Sequence, residues 1–243
     1  MDVLEKEQIG FEEAAGHWYY RAKFGLLESW LGRTGLDLEK ARIADFGCGE
    51  GLFLAMLSRS GSVPTENLWG IDSAHPEGSR LRHGNIPVHR AIPPDAVFDA
   101  ILLMDVLEHI EEDAAALASV VRHCKPGGGL FLTFPAMPCL WSQHDKFLGH
   151  KRRYSLPAVR DLLATCPDLE TEAVFYFFAS ILPVAAPVRW FRRFFGGSLS
   201  SDMQPASPMS NAVLGFLLSL EARLCRLNRF AGITLVATCR KKP

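Results

Sequence analysis

Asp45-Phe46-Gly47-Cys48-Gly49-Glu50-Gly51 is the stretch of this chain whose residue types and spacing bear most directly on chemistry. Three alternate glycines leave no Cβ between the backbone and a small ligand, and they permit φ > 0 where the chain must turn. An apolar pair, Ile43-Ala44, enters the turn, and Leu52-Phe53-Leu54-Ala55-Met56-Leu57 leaves it at helical spacing. A strand-turn-helix of this kind offers a ligand the helix N-terminus. A dinucleotide would bring a pyrophosphate there, and Asp45 with Glu50 would repel it. The sulfonium and α-ammonium of S-adenosylmethionine suit an acidic turn better. Asp45, Phe46, Gly47, Cys48, Gly49 and Gly51 are therefore candidate contacts of that molecule, with Asp45 accepting from the ammonium directly or through a water.

Further candidates follow along the chain. Asp72, with Ser73 beside it, ends the apolar run Leu68–Ile71 and could accept hydrogen bonds from both hydroxyls of a ribose. The same acid would serve NAD, so Asp72 does not discriminate between cofactors. Asp105 and Val106 end the apolar run that starts at Phe98 and are candidate contacts of the same molecule. On a helix, Asp105, Glu108 and His109 would share one face at i, i+3 and i+4. His109 could then be a general base for an acceptor hydroxyl. The trio could instead ligate a divalent cation, or merely brace a helix start. No resident metal is assigned.

His144, Asp145, His150 and Tyr154 fall in a polar loop that also holds Lys151-Arg152-Arg153. His144 is the second candidate base. The loop suits an anionic sugar or lipid phosphate, or serves as a solvated lid. Near the N-terminus, Trp18 and Arg21 are candidates for closing the donor pocket, Arg21 by pairing with the donor's carboxylate; packing of the aromatics on a sheet is the alternative.

The elements that must position these residues are legible as periodicities. A helix is expected over 5–31, strands at 42–47, 68–72, 86–91, 98–105 and 130–134, and a helix over 51–60. Residues 73–85 lack helical period. A helix after the fourth strand ends at the stop signal Lys125-Pro126-Gly127-Gly128-Gly129. Beyond a loop at 136–154, Ser155 caps a helix with Pro157 in its first turn. Strands at 169–178 and 232–239 bracket a helical segment at 179–195, a flexible stretch at 196–208 and a helix at 211–229. Strands alternating with helices imply an α/β, Rossmann-like, doubly wound and mostly parallel sheet. Ligands then sit beyond the carboxyl ends of its strands, where Asp45, Asp72 and Asp105 fall. The expected division is one domain, 1–243: an N-terminal helical cap (1–38), a cofactor-binding half (40–135) and an acceptor-side half (136–243) with a helical insertion (179–229) before the last strand.

Composition bounds the rest. The chain has 243 residues, 48% of them hydrophobic, enough for a substantial core. Its net charge of −1 gives no reason to expect a nucleic-acid partner. Residues 1–150 hold 13 Lys/Arg against 21 Asp/Glu, whereas 151–243 hold 13 against 6. That asymmetry points the second part toward an anionic substrate or surface, or marks a solvated face. Six cysteines show no paired spacing, so a reduced, cytoplasmic setting is expected. The acidic N-terminus lacks the apolar region of a signal peptide. The longest uncharged apolar run, 173–188, falls short of a membrane span. The aromatic stretch 174–195, with Phe175-Tyr176-Phe177-Phe178 and the arginine-interleaved Trp190–Phe195, is the candidate for peripheral contact with a membrane, at a bacterial inner membrane, or for core packing or oligomer contacts.

Taken in order and spacing, the glycine turn, Asp72, Phe98-Asp99 through Asp105-Val106-Leu107-Glu108-His109, and Lys125-Pro126-Gly127-Gly128 resemble the class I S-adenosylmethionine-dependent methyltransferases. The flanks, with His17-Trp18-Tyr19, Trp141–Tyr154 and Gly232-Ile233-Thr234, are similar to a bacterial subgroup related to ubiquinone-type and sugar-cluster methyltransferases. The resemblance implies a seven-stranded fold, S-adenosylmethionine as donor with S-adenosylhomocysteine as product, and methyl transfer to an oxygen of a small or lipid-linked acceptor. Transfer to nitrogen or carbon is less favoured. In the ubiquinone-type relatives the run comparable to Asp105-x-x-Glu108-His109 holds a metal. One departure is plain: Val88-His89-Arg90-Ala91 lacks the acid that the family places after strand 3, so a backbone amide reads the adenine or the strand lies elsewhere. A non-catalytic donor-binding subunit and an NAD(P)-dependent oxidoreductase are the alternative functions.

Overall fold

The structure, a computed structural model, describes residues 9–195 and 205–243, with side chains omitted for 191–195. The expected helix start at 5–8, residues 196–204 of the flexible stretch and the side chains of Arg192 and Arg193 therefore lie outside the described residues.

Seven strands form one sheet: β1 (Ile43–Phe46), β2 (Leu68–Ile71), β3 (Val88–His89), β4 (Phe98–Met104), β5 (Cys124–Pro135), β6 (Leu169–Phe177) and β7 (Thr234–Lys241). Their order across the sheet is β3-β2-β1-β4-β5-β7-β6. The first five run parallel, and β7 runs antiparallel between β5 and β6. The order reverses between β1 and β4, which places the crevice for a ligand at the ends of those two strands. β4 reads as a continuous apolar run because both of its faces are covered. One face carries Leu27, Leu31, Leu52, Leu54 and Leu57, and the other carries Leu117, Val120, Val159 and Leu163.

The expected helix over 5–31 is two helices, α1 (Phe11–Gly16) and α2 (Trp18–Leu31). His17 breaks them: its backbone is extended, and its ring accepts from the Tyr19 N–H as an N-cap would. α3 (Leu52–Ser60) leaves the glycine turn as expected, and α4 (Asp113–Arg122) precedes β5. The Lys125–Gly129 stop signal is itself hydrogen-bonded as the start of β5. Asp99 helps hold it: its carboxylate takes the Lys125 ammonium at 2.8 Å and the Arg42 N–H at 2.9 Å, so this motif residue braces strand ends. The presumed loop at 136–154 contains α5 (Gln143–Phe147), started by a capping box between Ser142 and Asp145. α6 (Leu156–Ala164) begins at Ser155, whose side chain accepts from the Ala158 N–H. α7 (Leu182–Phe195) and α8 (Pro208–Leu224) make up the insertion.

The aromatic run Phe175–Phe178 is buried, which is the core packing that the sequence left open beside membrane contact; among the described side chains of 174–190 it is α7 that presents exposed apolar ones, Val184 and Val188 among them. No helix among the described residues is long and apolar enough to cross a membrane.

Candidate active site

The carboxyl ends of β1, β2 and β4 open into a cavity of about 600 Å³. Phe46, Gly47 and Gly49 enter its wall from the glycine turn, Asp72 and Ser73 from the end of β2, and Asp105 and Val106 from the end of β4. The turn is shaped by backbone that only glycine adopts easily. Gly47, Gly49 and Gly51 have φ of 74°, 51° and 74°. A Cβ on Gly47 would lie 2.6 Å from Val106 Cγ2, so the β1 and β4 loops can meet only if residue 47 has no side chain.

Asp72 holds this corner together. Its carboxylate accepts the Gly49 N–H at 2.8 Å and the Ala74 N–H at 2.9 Å, one on each oxygen. Each oxygen keeps acceptor capacity toward the cavity, which suits a ribose diol. Asp45 sits lower. It is 1% exposed, outside the cavity wall, and its Oδ1 has no hydrogen-bond partner among the described residues. Burial, with the charge of Asp72 adding to it, pushes its carboxyl up to about 7. Cys48 is also buried beneath the turn, and Gly51 turns toward Leu81 and the start of α3. β3 lies where expected, so the missing acid is not a misplaced strand; Arg90, just after it, enters the wall instead.

The Asp105–Glu108–His109 trio does not form on a helix. Asp105 has φ 57°, and only a single 3-10 turn, Leu107–His109, follows it. A non-glycine residue in the left-handed region carries a cost of roughly 1–2 kcal/mol, offset here by two side-chain partners. Thr133 Oγ1 donates to Asp105 at 2.8 Å, and the buried Lys23 ammonium donates to its other oxygen. Burial alone would lower the Lys23 pKa, but the adjoining carboxylate more than offsets it and holds the ammonium charged. Burial likewise opposes ionisation of Asp105, and Lys23 with Thr133 overrides it. Lys23 had no sequence signal beyond one turn's spacing from Tyr19 and Tyr20 on α2. Trp18, Tyr19 and Tyr20 line the cavity as the aromatic helix suggested, whereas Arg21 is exposed and outside its wall.

The other candidates converge from the loop after β5. His109, His144 and His150 all line the cavity, with the His109 and His150 rings 4.8 Å apart and the His144 and His150 rings 6.4 Å apart. Asp145 is the anchor. Its oxygens accept from the Ser142 N–H at 2.8 Å, Arg153 Nε at 2.7 Å and His150 Nδ1 at 3.0 Å. Burial works against its ionisation, but His150 and Arg153 hold it well below the usual carboxylate range. An ionised Asp145 can only accept, so His150 donates to it from Nδ1 and Nε2 is left as the ring nitrogen not engaged with Asp145.

That Nε2 is 4.0 Å from Glu108 Oε1. Glu108 is fully buried, neither of its oxygens has a hydrogen-bond partner among the described residues, and burial raises its pKa well above the ordinary value. Glu108, His109 and His150 offer donor atoms within 4.8 Å of one another, so a divalent ion would find these three and not the trio with Asp105, whose carboxylate is committed to Lys23 and Thr133. Tyr154 is buried away from the cavity, its hydroxyl donating to Asp113 at 2.7 Å, and Arg152 pairs with the same acid. Lys151 lies half-exposed beside Glu111. Of the basic run only Arg153 reaches the wall.

A family model described as a methyltransferase domain matches residues 17–172, well over half of the chain and all of the β1–β5 core. The chain belongs to the S-adenosylmethionine-dependent methyltransferase family. The relatives it resembles include the ubiquinone biosynthesis O-methyltransferases of Xanthomonas oryzae pv. oryzae, 32% identical over 109 residues (40% of this chain, 44% of that one), and of Bordetella pertussis, 30% identical over 116 residues (43% and 46%). The chain thus spans less than half the length of the curated relatives it matches. Among solved structures it is similar to the plantazolicin methyltransferase BpumL in complex with S-adenosylhomocysteine (16% identity, 96% of this chain and 86% of that one, TM-score 0.53). It is also similar to an S-adenosylmethionine-dependent methyltransferase from Mesorhizobium loti (16%, 89% and 98%, TM-score 0.51). At these identities the likeness is one of fold, and the fold agrees with the seven-stranded, mostly parallel sheet. The residues present fit the family's donor at the turn, where Gly47, Gly49 and Asp72 border the cavity and no Lys or Arg lies among residues 45–51, although Asp45 is buried outside the wall.

Proposed function

We propose that this methyltransferase moves the methyl group of S-adenosylmethionine to an oxygen of a small or lipid-linked acceptor, with His150 taking the acceptor's proton. The observation that supports the reading is the Asp145–His150 pair, in which a buried carboxylate engages Nδ1 of an imidazole that lines the same cavity as the glycine turn and Asp72. When bound, the donor supplies a sulfonium-activated methyl group, already poised for displacement. What the chain must add is alignment and removal of one proton. Asp72 and the turn glycines hold the nucleoside end, Asp105 and Val106 border the methionine end, and Asp45 stabilises the ammonium from beneath the turn. Trp18, Tyr19 and Tyr20 exclude water from one side. As the acceptor oxygen forms its new bond, its proton passes to His150 Nε2, and Asp145 stabilises the imidazolium that results. His109 and His144, which border the same space, orient the acceptor hydroxyl. The apolar wall at Ile181, Val184 and Val188 suits an acceptor with an aromatic or prenyl body. The ubiquinone O-methyltransferase relatives support oxygen as the methylated atom.

The experiment supplies labelled donor and a panel of phenols, catechols and carboxylates with short and prenylated side chains. His150→Ala is expected to reduce turnover by about 10²–10⁴ while the donor Kd, measured by calorimetry, stays within about twofold. Wild-type turnover in His150→Ala refutes the assignment of the base.

The orphaned oxygens of Glu108 favour a second reading, in which Glu108, His109 and His150 hold a divalent cation that acidifies the acceptor hydroxyl. An imidazole that ligates through Nε2 cannot also take a proton, so the two readings exclude each other. Activity lost on chelation and restored by one metal selects the second; activity indifferent to chelator selects the first.

A further inference from the structure

α8 is rich in apolar residues beyond the side it packs on α2, and an apolar helix face is normally covered. α2 covers only one side, where Leu218 is buried and Asn211 Oδ1 accepts the Trp18 N–H at 2.8 Å. The other side is open. Met209, Val213, Phe216, Leu220 and Leu224 recur every three or four residues along it, and all are exposed, Phe216 by 68% and Leu224 by 67%. The stripe does not stop at the helix end, because Leu227 and Phe230 continue it at 76% and 89% exposure.

Arginine interleaves that continuation. Arg223, Arg226 and Arg229 are exposed, and each precedes an exposed apolar residue: Leu224, Leu227 and Phe230. The one acid from Pro208 to Phe230 is Glu221, and it is turned inward, accepting the Ala179 N–H at 2.7 Å and the Ser180 N–H at 3.0 Å. Positive charge thus adjoins the apolar stripe at Arg223, Arg226 and Arg229, Arg226 at a cleft that it shares with Arg33 and Glu172, and among the described residues 208–230 no acid faces outward. The same segment of a second copy would present the same arginines and no outward carboxylate to meet them. A bilayer surface bearing anionic headgroups meets both demands, taking apolar side chains into the acyl boundary and arginines at the phosphates. With 17 residues and one side packed on α2, α8 would lie along such a surface and not across it.

We propose that the exposed face of α8, together with Arg223, Arg226 and Arg229, docks this protein on an anionic lipid surface. The docking would serve the cavity, because α8 is tied to two of its neighbours, α2 through Asn211 and the segment leading into α7 through Glu221. The proposal is independent of which atom is methylated and of which residue takes the proton.

The test is co-sedimentation of the full chain with vesicles of phosphatidylcholine alone or with roughly a third phosphatidylglycerol, at low and high salt. Binding to the anionic vesicles is expected, weakened by salt and weaker by at least about tenfold on neutral vesicles. The double variants Phe216→Glu with Leu220→Glu, and Arg223→Glu with Arg226→Glu, should each lose at least about tenfold in vesicle affinity while keeping the wild-type unfolding temperature and donor affinity. The arginine pair keeps the test decisive if the first variant folds poorly. Wild-type protein left in the supernatant, or bound equally to both vesicle types, overturns the proposal. So does a dimer that the Phe216→Glu, Leu220→Glu variant splits while wild type ignores vesicles, which would assign the face to a second copy. No acceptor or turnover enters this readout, so its failure is distinguishable from failure of the proposed reaction.

Discussion

Replacing Asp45 by Asn removes a charge that burial already disfavours, and the size of the effect can be worked out. The side chain is 1% exposed, its Oδ1 lacks a hydrogen-bond partner among the described residues, and its carboxyl is pushed up to about 7. In the unfolded chain the same group releases its proton near ~3.9. Between about pH 4 and pH 7 the native state thus binds more protons than the unfolded state, and stability falls as pH rises. Some three pH units at about 1.4 kcal/mol each give a loss on the order of 4 kcal/mol, complete above about pH 7. Asparagine matches the neutral carboxyl in shape and escapes that loss. Thermal unfolding should therefore find the two proteins alike near about pH 4 and Asp45→Asn more stable near about pH 8, by up to roughly 8–16 °C for a chain of this size. Calorimetry on the same samples should show weaker donor binding by the variant, since the charge that costs stability is the one offered to the ammonium. A stability difference that does not change with pH, or a variant less stable at the alkaline end, refutes the reasoning.

Three further outcomes are expected. Gly47→Ala places a Cβ 2.6 Å from Val106 Cγ2 at a φ of 74°, so it should cost about 2–4 kcal/mol and at least about tenfold in donor affinity, part of both returning in the Gly47→Ala, Val106→Ala double variant. Lys23→Met leaves Asp105 without its cation and should destabilise by about 3 kcal/mol in denaturant titrations, with Asp105→Asn recovering part of the loss. Because Lys23 depresses the Asp105 pKa, wild-type stability from this pair is present above the ordinary carboxylate range and lost as pH falls through the lowered value; the variant should lack that acid-side loss. Disulfide-reagent titration of the native protein should find one fast thiol, the exposed Cys139, and five that react only on unfolding.

How much of this was legible depended on how far apart the interacting residues lie. The glycine turn, the acid after β2 and the apolar β4 announce themselves within short windows, and the sheet puts them at one edge as periodicity implied. The capped start of α6 was equally local. The run Asp105–His109 misled because its spacing is helical while its backbone is not: Thr133 and Lys23, 28 and 82 residues away, draw Asp105 into the left-handed region. No window of sequence contains those partners. His150 was visible as one histidine in a polar loop, but Asp145, which makes it a candidate base, is engaged through α5, an element too short for periodicity to reveal. For the aromatic run at 175–178 sequence left membrane contact and core packing both open, because its burial depends on β7, whose register with β6 is likewise non-local.

The place of β7 between β5 and β6 bears on how the chain is made as well as on what it does. The ribosome delivers β6 before α7 and α8 and delivers β7 after them. At roughly 5–20 residues per second, several seconds pass in which Val174–Phe177 has no strand on the β7 side. Such an edge invites pairing with any neighbouring nascent chain. Chaperone holdases should accordingly bind polysomes translating this message, and slow codons across the insertion should lower the soluble yield.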